Sequence, residues 1–296
     1  MNSNKRIPID SAGDFLAWWF ESNQLHGKSL EVFSRYYSNY YNRFSGYLKK
    51  AWSDRHLELE DILSAFTKNR PMRCLDIGCG TGTVSLYMAC RLMDHGRVRG
   101  VDINDDRLMC AQARKEILVK SLGSKIYCEF EKSDVLSISS DEKYDLIFLE
   151  ETLHHLEPRR RQIAKIKELL SEDGLIVISE VNAYNLPMQV ALLKKRGLKT
   201  VEKRVKSNGS EYIYGIERIV PARIVKNLFV DGNLRMVSLR YLRIFSSKIA
   251  GLLESGGIDL MAIEKTLLRC SLFSRMVSIH YNIVFIKTGS YQGTIA

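Results

Sequence analysis

The sequence predicts an α/β chain built on a mostly parallel, doubly wound sheet, and three observations carry that prediction. Short apolar strands alternate with helical segments from residue 73 to residue 181. A turn with glycine at every second position, Gly78, Gly80 and Gly82, joins the first of these strands to the first helix. The strands are apolar, the pattern of a parallel sheet covered by helices on both faces.

Residues 13–67 read as helical, with Gly27 and Asp54 as breaks, and Tyr37, Tyr41, Phe44 and Leu48 fall on one helix face. Strands are expected at 73–77, 97–102, 126–130, 145–149 and 175–181, with helices at 83–94, 105–121 and 158–171 between them. Their crossovers should be right-handed. After Val181 the rhythm loosens. Residues 187–210 contain Lys194-Lys195-Arg196-Gly197 and Lys203-Arg204-Val205-Lys206, then the turn signal Ser207-Asn208-Gly209. A helix follows at 221–230, with Pro221 suited to its first turn and Asp231-Gly232 ending it. A strand at 234–245, a mostly helical stretch at 247–277 broken by Gly256-Gly257, and a last strand at 280–287 complete the chain.

Composition narrows the class. The 296 residues are 45% hydrophobic and 26% charged, ordinary for a soluble globular protein. No apolar run approaches the roughly 20 residues that span a bilayer, and Met1 to Pro8 lack the apolar core of a signal peptide. Six cysteines without a C-x-x-C pair are expected to be free thiols in a reducing cytoplasm, and no metal is expected. The net charge of +10 is uneven. Residues 1–150 hold 21 basic and 21 acidic side chains, whereas residues 186–250 hold 14 basic and 4 acidic. The cationic surface therefore belongs to whatever the C-terminal half approaches.

The glycine turn narrows the ligand. Glycine tolerates positive φ and lets backbone come close to a ligand, while a helix N-terminus offers N–H groups to an anion. A dinucleotide fingerprint would place its third glycine at position 83, which is Thr83, and no phosphate loop ending in Gly-Lys-Ser/Thr is present. What stands there is Asp76-x-Gly78-x-Gly80-x-Gly82. This resembles motif I of the Rossmann-like S-adenosylmethionine (SAM)-dependent methyltransferases. Further landmarks arrive in that family's order: Asp102, 26 residues after Asp76, then Asp134 in Ser133-Asp134-Val135-Leu136. The stretch Asp145 to Leu156, ending Glu150-Glu151-Thr152-Leu153-His154-His155-Leu156, is similar to the fourth strand and following motif of the ubiquinone/menaquinone-type branch. Gly174 to Glu180 is similar to the fifth strand.

The resemblance implies a seven-stranded sheet whose last strand is antiparallel. It also implies an N-terminal helical lid at 1–67 and a methyltransferase domain at 68–296 with insertions at 186–220 and 247–278. It places Asp76 near the methionine amino group and the backbone of Gly78 and Gly80 along the amino-acid moiety, with Gly82 completing the loop. Asp102 would accept from both ribose hydroxyls, Asp134 from the adenine amine, and Glu150 would face the donor. His154 and His155 are candidate catalytic bases if the nucleophile must lose a proton. Tyr36, Tyr37, Tyr40 and Tyr41 are candidates to line a lid, or else core against the sheet.

The expected function is transfer of a methyl group from SAM to a small-molecule acceptor, lipid-linked or anionic in one version, in the cytoplasm or peripherally at an anionic membrane. Two alternatives stand beside it. One is a methyltransferase acting on RNA or protein through the basic 194–206 region, although the Asp/Asn-Pro-Pro-Tyr signature of amino methylation is replaced by Glu150-Glu151-Thr152-Leu153. The other is a non-catalytic SAM-binding protein. The sequence leaves acceptor, methylated atom and oligomeric state open.

Overall fold

A computed structural model describes residues 7–22, 24–40, 43–44, 46–66, 70–205, 209 and 211–287. Tyr41, Lys206, Ser207 and Asn208 lie outside the described residues. The chain divides into two compact units, the first made of residues up to Asp134 together with Phe245–Ile263, the second of Val135–Ile244 and the residues from Glu264 onward.

The first unit begins with four helices, α1 (Ala12–Glu21), α2 (Gly27–Tyr36), α3 (Gly46–Arg55) and α4 (Leu57–Ala65). Ser11 caps α1 by accepting the Asp14 N–H at 3.1 Å. Gly27 opens α2, as its break signal predicts, but Asp54 sits inside α3 and the second break comes at His56. The single face predicted through Tyr37 and Phe44 to Leu48 does not form. The helix stops at Tyr37, and Gly46, at φ +51°, starts a new one. Strand β1 (Met72–Ile77), helix α5 (Thr83–Leu92), strand β2 (Gly96–Asp102), helix α6 (Asp105–Leu122) and strand β3 (Cys128–Lys132) then alternate. Asn104 caps α6 and Gly123, at φ +62°, ends it. The three strands are parallel, with Asp76 opposite Gly100 and Asp102 opposite Lys132. β3 lies two residues later than its apolar pattern suggests, with its pairing running from Val98 opposite Cys128 to Asp102 opposite Lys132.

The second unit carries β4 (Tyr144–Glu150), α7 (Arg159–Leu169), β5 (Leu170–Val181), α8 (Leu186–Arg196), β6 (Val201–Val205), β7 (Glu211–Gly215), α9 (Ala222–Phe229) and β8 (Leu234–Leu242). Helix α10 (Ser247–Glu254) returns to the first unit, α11 (Leu260–Leu268) crosses the division, and α12 (Ser271–Val277) and β9 (His280–Lys287) close the second. β4 and β5 are parallel, and β9 is antiparallel to both β5 and β8. All seven long strands form one sheet in the order β3-β2-β1-β4-β5-β9-β8, mostly parallel as predicted. β6 and β7 form a separate antiparallel hairpin that the sequence did not announce.

The cores follow from the apolar strands. Cys74, Leu75 and Ile77 are buried in β1, Leu146 to Leu149 in β4, and Tyr281 and Ile283 to Ile286 in β9. Each such aliphatic side chain contributes about 1.5–3 kcal/mol by leaving water. In the first unit Tyr47, Leu48 and Ala51 of α3 pack on Ala250 and Leu260, and the Glu254 carboxylate accepts the Tyr47 N–H. Among the described residues no helix is long and apolar enough to cross a membrane. The six cysteines are free, five of them buried and Cys270 exposed.

Candidate functional site

In the first unit the turn after β1 is fixed by main-chain geometry. Gly78, Gly80 and Gly82 have φ of +72°, +55° and +77°, a region that strains any side chain. The N–H groups of Gly78 and Cys79 donate to the Val101 carbonyl at 2.8 and 3.0 Å, which ties the start of the loop to β2. Asp102, 6% exposed at the end of β2, then grips it. Its Oδ2 accepts the Gly80 N–H at 2.9 Å and its Oδ1 the Asn104 N–H at 2.9 Å. Arg107 Nη1 lies 3.9 Å from Oδ2. Each carboxylate oxygen can accept more than one hydrogen bond, so Asp102 retains capacity for a ligand hydroxyl.

Asp76 lies beneath the loop, 3% exposed, and its Oδ2 accepts the Ser85 hydroxyl at 2.5 Å. Asp134 is half-buried just past β3, held beside β2 because the Ser133 N–H donates to the Asp102 carbonyl at 3.2 Å. Asp76, Gly78, Gly80, Asp102 and Asp134 therefore meet at the carboxyl ends of three adjacent parallel strands, where open α/β sheets bind ligands. Burial, then the nearby Asp76 and Asp102, hold the Cys79 thiol well above its usual range, so this loop cysteine stays protonated.

The loop glycines do different work. A Cβ on Gly80 would lie 2.5 Å from the Tyr36 hydroxyl, so Tyr36 of α2, 42% exposed, stands directly against the loop. A Cβ on Gly82 would instead strike Phe130 and Ala111 at 2.7 and 2.8 Å, inside the packing of β3 and α6. Of the other predicted lid aromatics, Tyr37 is buried against Phe20, Phe33 and Trp52, and Tyr40 packs on Phe44 and Trp52. These two are core.

Arg114 is the residue the sequence did not single out. Fully buried in α6, it donates through Nη1 to the Thr81 carbonyl and the Thr83 hydroxyl, both at 2.7 Å. Its guanidinium lies over Trp19 and Phe33, 4.3 and 4.8 Å from the ring centroids. Thr83, whose side chain excludes the dinucleotide fingerprint, also pairs with the Tyr37 hydroxyl at 2.6 Å. A lone arginine within the polar run Gln112-Ala113-Arg114-Lys115-Glu116 gives no local sign of this role.

In the second unit the turn after β4 is fixed by charge. Glu150 ends the strand half-buried, and Glu151 follows at φ +46° with its N–H donating to the Ser179 carbonyl at 2.9 Å. Glu180, 2% exposed in the apolar run of β5, organises what comes next. Its Oε1 accepts the N–H groups of Thr152 and Leu153 at 2.9 and 2.6 Å, and its Oε2 meets His154 Nδ1 at 2.7 Å. His154 Nε2 lies 3.5 Å from Glu217 Oε2. Burial pulls the His154 pKa down, but Glu180, Glu217 and Glu151 outweigh it and leave the imidazole above its ordinary value. Burial raises the Glu180 pKa, and His154 overcomes that to hold the carboxylate below its usual range.

His155 differs. Its Nδ1 meets the Gly215 carbonyl at 2.7 Å, and its ring stacks on Tyr214 of β7 at 4.7 Å and 15°. Burial, then neighbouring His154, lower its pKa to about 4, so it stays neutral at physiological pH. The hairpin comes this close because position 215 is glycine. A Cβ there would fall 2.3 Å from the His154 carbonyl. A general base at His154 would need a free lone pair on Nε2, the nitrogen that faces Glu217.

The basic segment is largely paired. Lys195 meets Glu217 at 2.9 Å, Lys203 meets Glu211 at 3.1 Å and Arg204 meets Glu202 at 2.5 Å. The Arg204 guanidinium also lies 3.5 Å above the Tyr214 ring, so it extends the column of His155 and Tyr214.

A family model described as "Methyltransferase domain" matches residues 68–227. The ribosomal protein L11 methyltransferase of Dictyoglomus turgidum is 27% identical over 140 residues, 46% of this chain and 42% of that protein. The ubiquinone biosynthesis O-methyltransferase of Glaesserella parasuis is 34% identical over 113 residues, 37% of this chain and 45% of that protein. The chain thus spans less than half the length of these curated relatives. A Galdieria sulphuraria protein, assigned as a sarcosine dimethylglycine methyltransferase, shares the fold at a TM-score of 0.53 and 13% identity. That likeness covers 81% of this chain and 87% of the other. With more than half of its length matched by the family model, the chain belongs to the methyltransferase domain family.

Proposed function

We propose that this chain binds SAM on the loop after β1 and transfers its methyl group to a small-molecule acceptor, leaving S-adenosylhomocysteine. The observation that carries the reading is Asp102, a carboxylate at the end of β2 that holds the Gly80 N–H and keeps acceptor capacity beside three left-handed glycines. That donor set suits the ribose hydroxyls, and the loop sequence carries no Gly-Lys-Ser/Thr cradle for a triphosphate. Asp76 with the backbone of Gly78 and Gly80 would take the amino-acid end, Gly82 would complete the turn, and Asp134 would accept from the adenine amine. Glu150 is carried on the resemblance alone. Bound there, SAM supplies an electrophilic methyl group on a sulfonium. The chain's own part is to hold that group in line with the nucleophile. The reading requires no base at His154 or His155.

The acceptor is proposed as small and lipid-linked or anionic, in keeping with the ubiquinone-type branch. The name of one relative supports this choice, while that of another, a ribosomal protein methyltransferase, keeps a protein acceptor as the alternative. Helices α1–α4 are proposed as the lid at 1–67, with Tyr36 against Gly80 in support. The hairpin lies in the proposed insertion at 186–220, and α10–α12 in that at 247–278. Peripheral contact with anionic lipid is supported by α8. Leu186, Val190 and Leu193, at least half exposed, share one face, and Lys194, Lys195 and Arg196 end the helix. Sedimentation with phosphatidylglycerol vesicles but not with phosphatidylcholine vesicles is expected, and equal recovery with both contradicts this contact.

The test of the donor site is calorimetry with S-adenosylhomocysteine. Asp102→Ala should weaken binding by about 100-fold or more, the loss of more than one charge-assisted hydrogen bond. Unchanged affinity in a folded Asp102→Ala protein overturns the assignment.

A further inference from the structure

The charge-held turn after β4 has a property that the methyltransferase reading leaves unused. We propose that His154, His155 and Glu217 form a binding site for a single divalent transition-metal ion of the zinc class, with a fourth position left for water or a ligand. One ligand atom from each of the three side chains lies within 4.8 Å of the others. His154 Nε2 and Glu217 Oε2 are already 3.5 Å apart. Two donors on a tetrahedral zinc, each about 2.1 Å from the metal, stand about 3.4 Å from one another.

The second ring nitrogens strengthen the assignment. His154 Nδ1 is engaged by the buried Glu180 carboxylate at 2.7 Å, and His155 Nδ1 by the Gly215 carbonyl at 2.7 Å. An oxygen acceptor at Nδ1 fixes the proton there and turns Nε2 into a lone-pair donor, which is how histidines are oriented at metal sites. The two rings come from consecutive residues, 4.1 Å between centroids, and Tyr214 stacks against His155 to set its plane. Glu217 comes from the far side of the hairpin. It sits at φ +47°, a conformation uncommon outside glycine, and Lys195 Nζ engages its Oε1 at 2.9 Å while Oε2 remains directed at His154.

Charge and donor type select the ion. Two imidazoles and a carboxylate make a nitrogen-rich set suited to zinc, cobalt or nickel rather than to magnesium or calcium. Glu217 within the set and Glu180 behind His154 supply two negative charges against the dication. Metal binding takes the Nε2 lone pairs of both imidazoles, and any proton on either nitrogen leaves to solvent.

The experiment needs no SAM, so it stands or falls apart from the methyl-transfer proposal. The 296-residue chain, stripped with a chelator, is titrated with cobalt(II) while its visible absorption is followed. Saturation at one equivalent, with the bands of a tetrahedral cobalt site that zinc then abolishes, is the expected result. Absence of saturable binding overturns the proposal. Glu217→Gln and His155→Gln should each weaken binding by about 100-fold, and Glu180→Gln by about 10- to 100-fold. Circular dichroism checks that each variant is folded. Lys195→Ala keeps every ligand and frees Glu217, so it should bind cobalt more tightly. Wild-type affinity in folded Glu217→Gln, or no tightening in Lys195→Ala, removes Glu217 from the site.

Discussion

The turns that follow β1 and β4 are held by opposite means. After β1 the chain relies on shape. Three left-handed glycines, the Asp102 grip on Gly80 and the Arg114 bond to Thr81 fix a loop whose main chain is the proposed binding surface. After β4 it relies on charge. Glu180 gathers two N–H groups and an imidazole, and Glu217 faces the same ring. A loop built on shape rejects added side chains. A turn built on buried charge instead depends on a cation, proton or metal, remaining between its carboxylates.

The largest effect is expected where that charge is removed. Glu180→Ala leaves His154 and two N–H groups without their acceptor and should cost about 3–5 kcal/mol of stability in urea unfolding. A cost below 1 kcal/mol would mean that the turn is not held by charge. Gly80→Ala comes next. It adds about 1–2 kcal/mol of backbone strain and forces Tyr36 aside, so calorimetry should show SAM binding weakened by about 30-fold. Gly82→Ala pushes into Phe130 and Ala111, and its expected effect is on the melting temperature, through a loss of about 1–3 kcal/mol. Similar behaviour in the two glycine variants would erase the distinction drawn between them.

Arg114→Met removes the donor from the Thr81 carbonyl and should cost about 1–2 kcal/mol while loosening the proposed SAM site. Tyr214→Ala is the smallest. Losing its stack on His155 should cost about 0.5–1.5 kcal/mol and leave SAM affinity unchanged.

Local signals explain what could be read from the sequence. The glycines, Asp76 and the five alternating strands are local patterns, and Asp102 and Asp134 follow them at strand ends. The sheet and the residues brought together at the ends of β1, β2 and β3 were therefore legible. The hairpin was not, because Val201–Val205 and Glu211–Gly215 are mostly exposed and mix charge with apolar residues, so no period marks them. Nor was the helix break at Tyr37, where no glycine or proline marks the stop. Glu180 left a trace, a lone carboxylate in the apolar run Leu175 to Val181, but its partner His154 lies 26 residues upstream. Glu217 and Arg114 act only through contacts distant in sequence.

The most direct measurement of the central claim is competitive equilibrium binding to the wild-type chain with labelled SAM. One saturable site per chain, emptied by S-adenosylhomocysteine and indifferent to NAD and ATP, is the predicted result. Failure to bind SAM, or displacement by NAD, would contradict the account of the loop from Asp76 to Gly82.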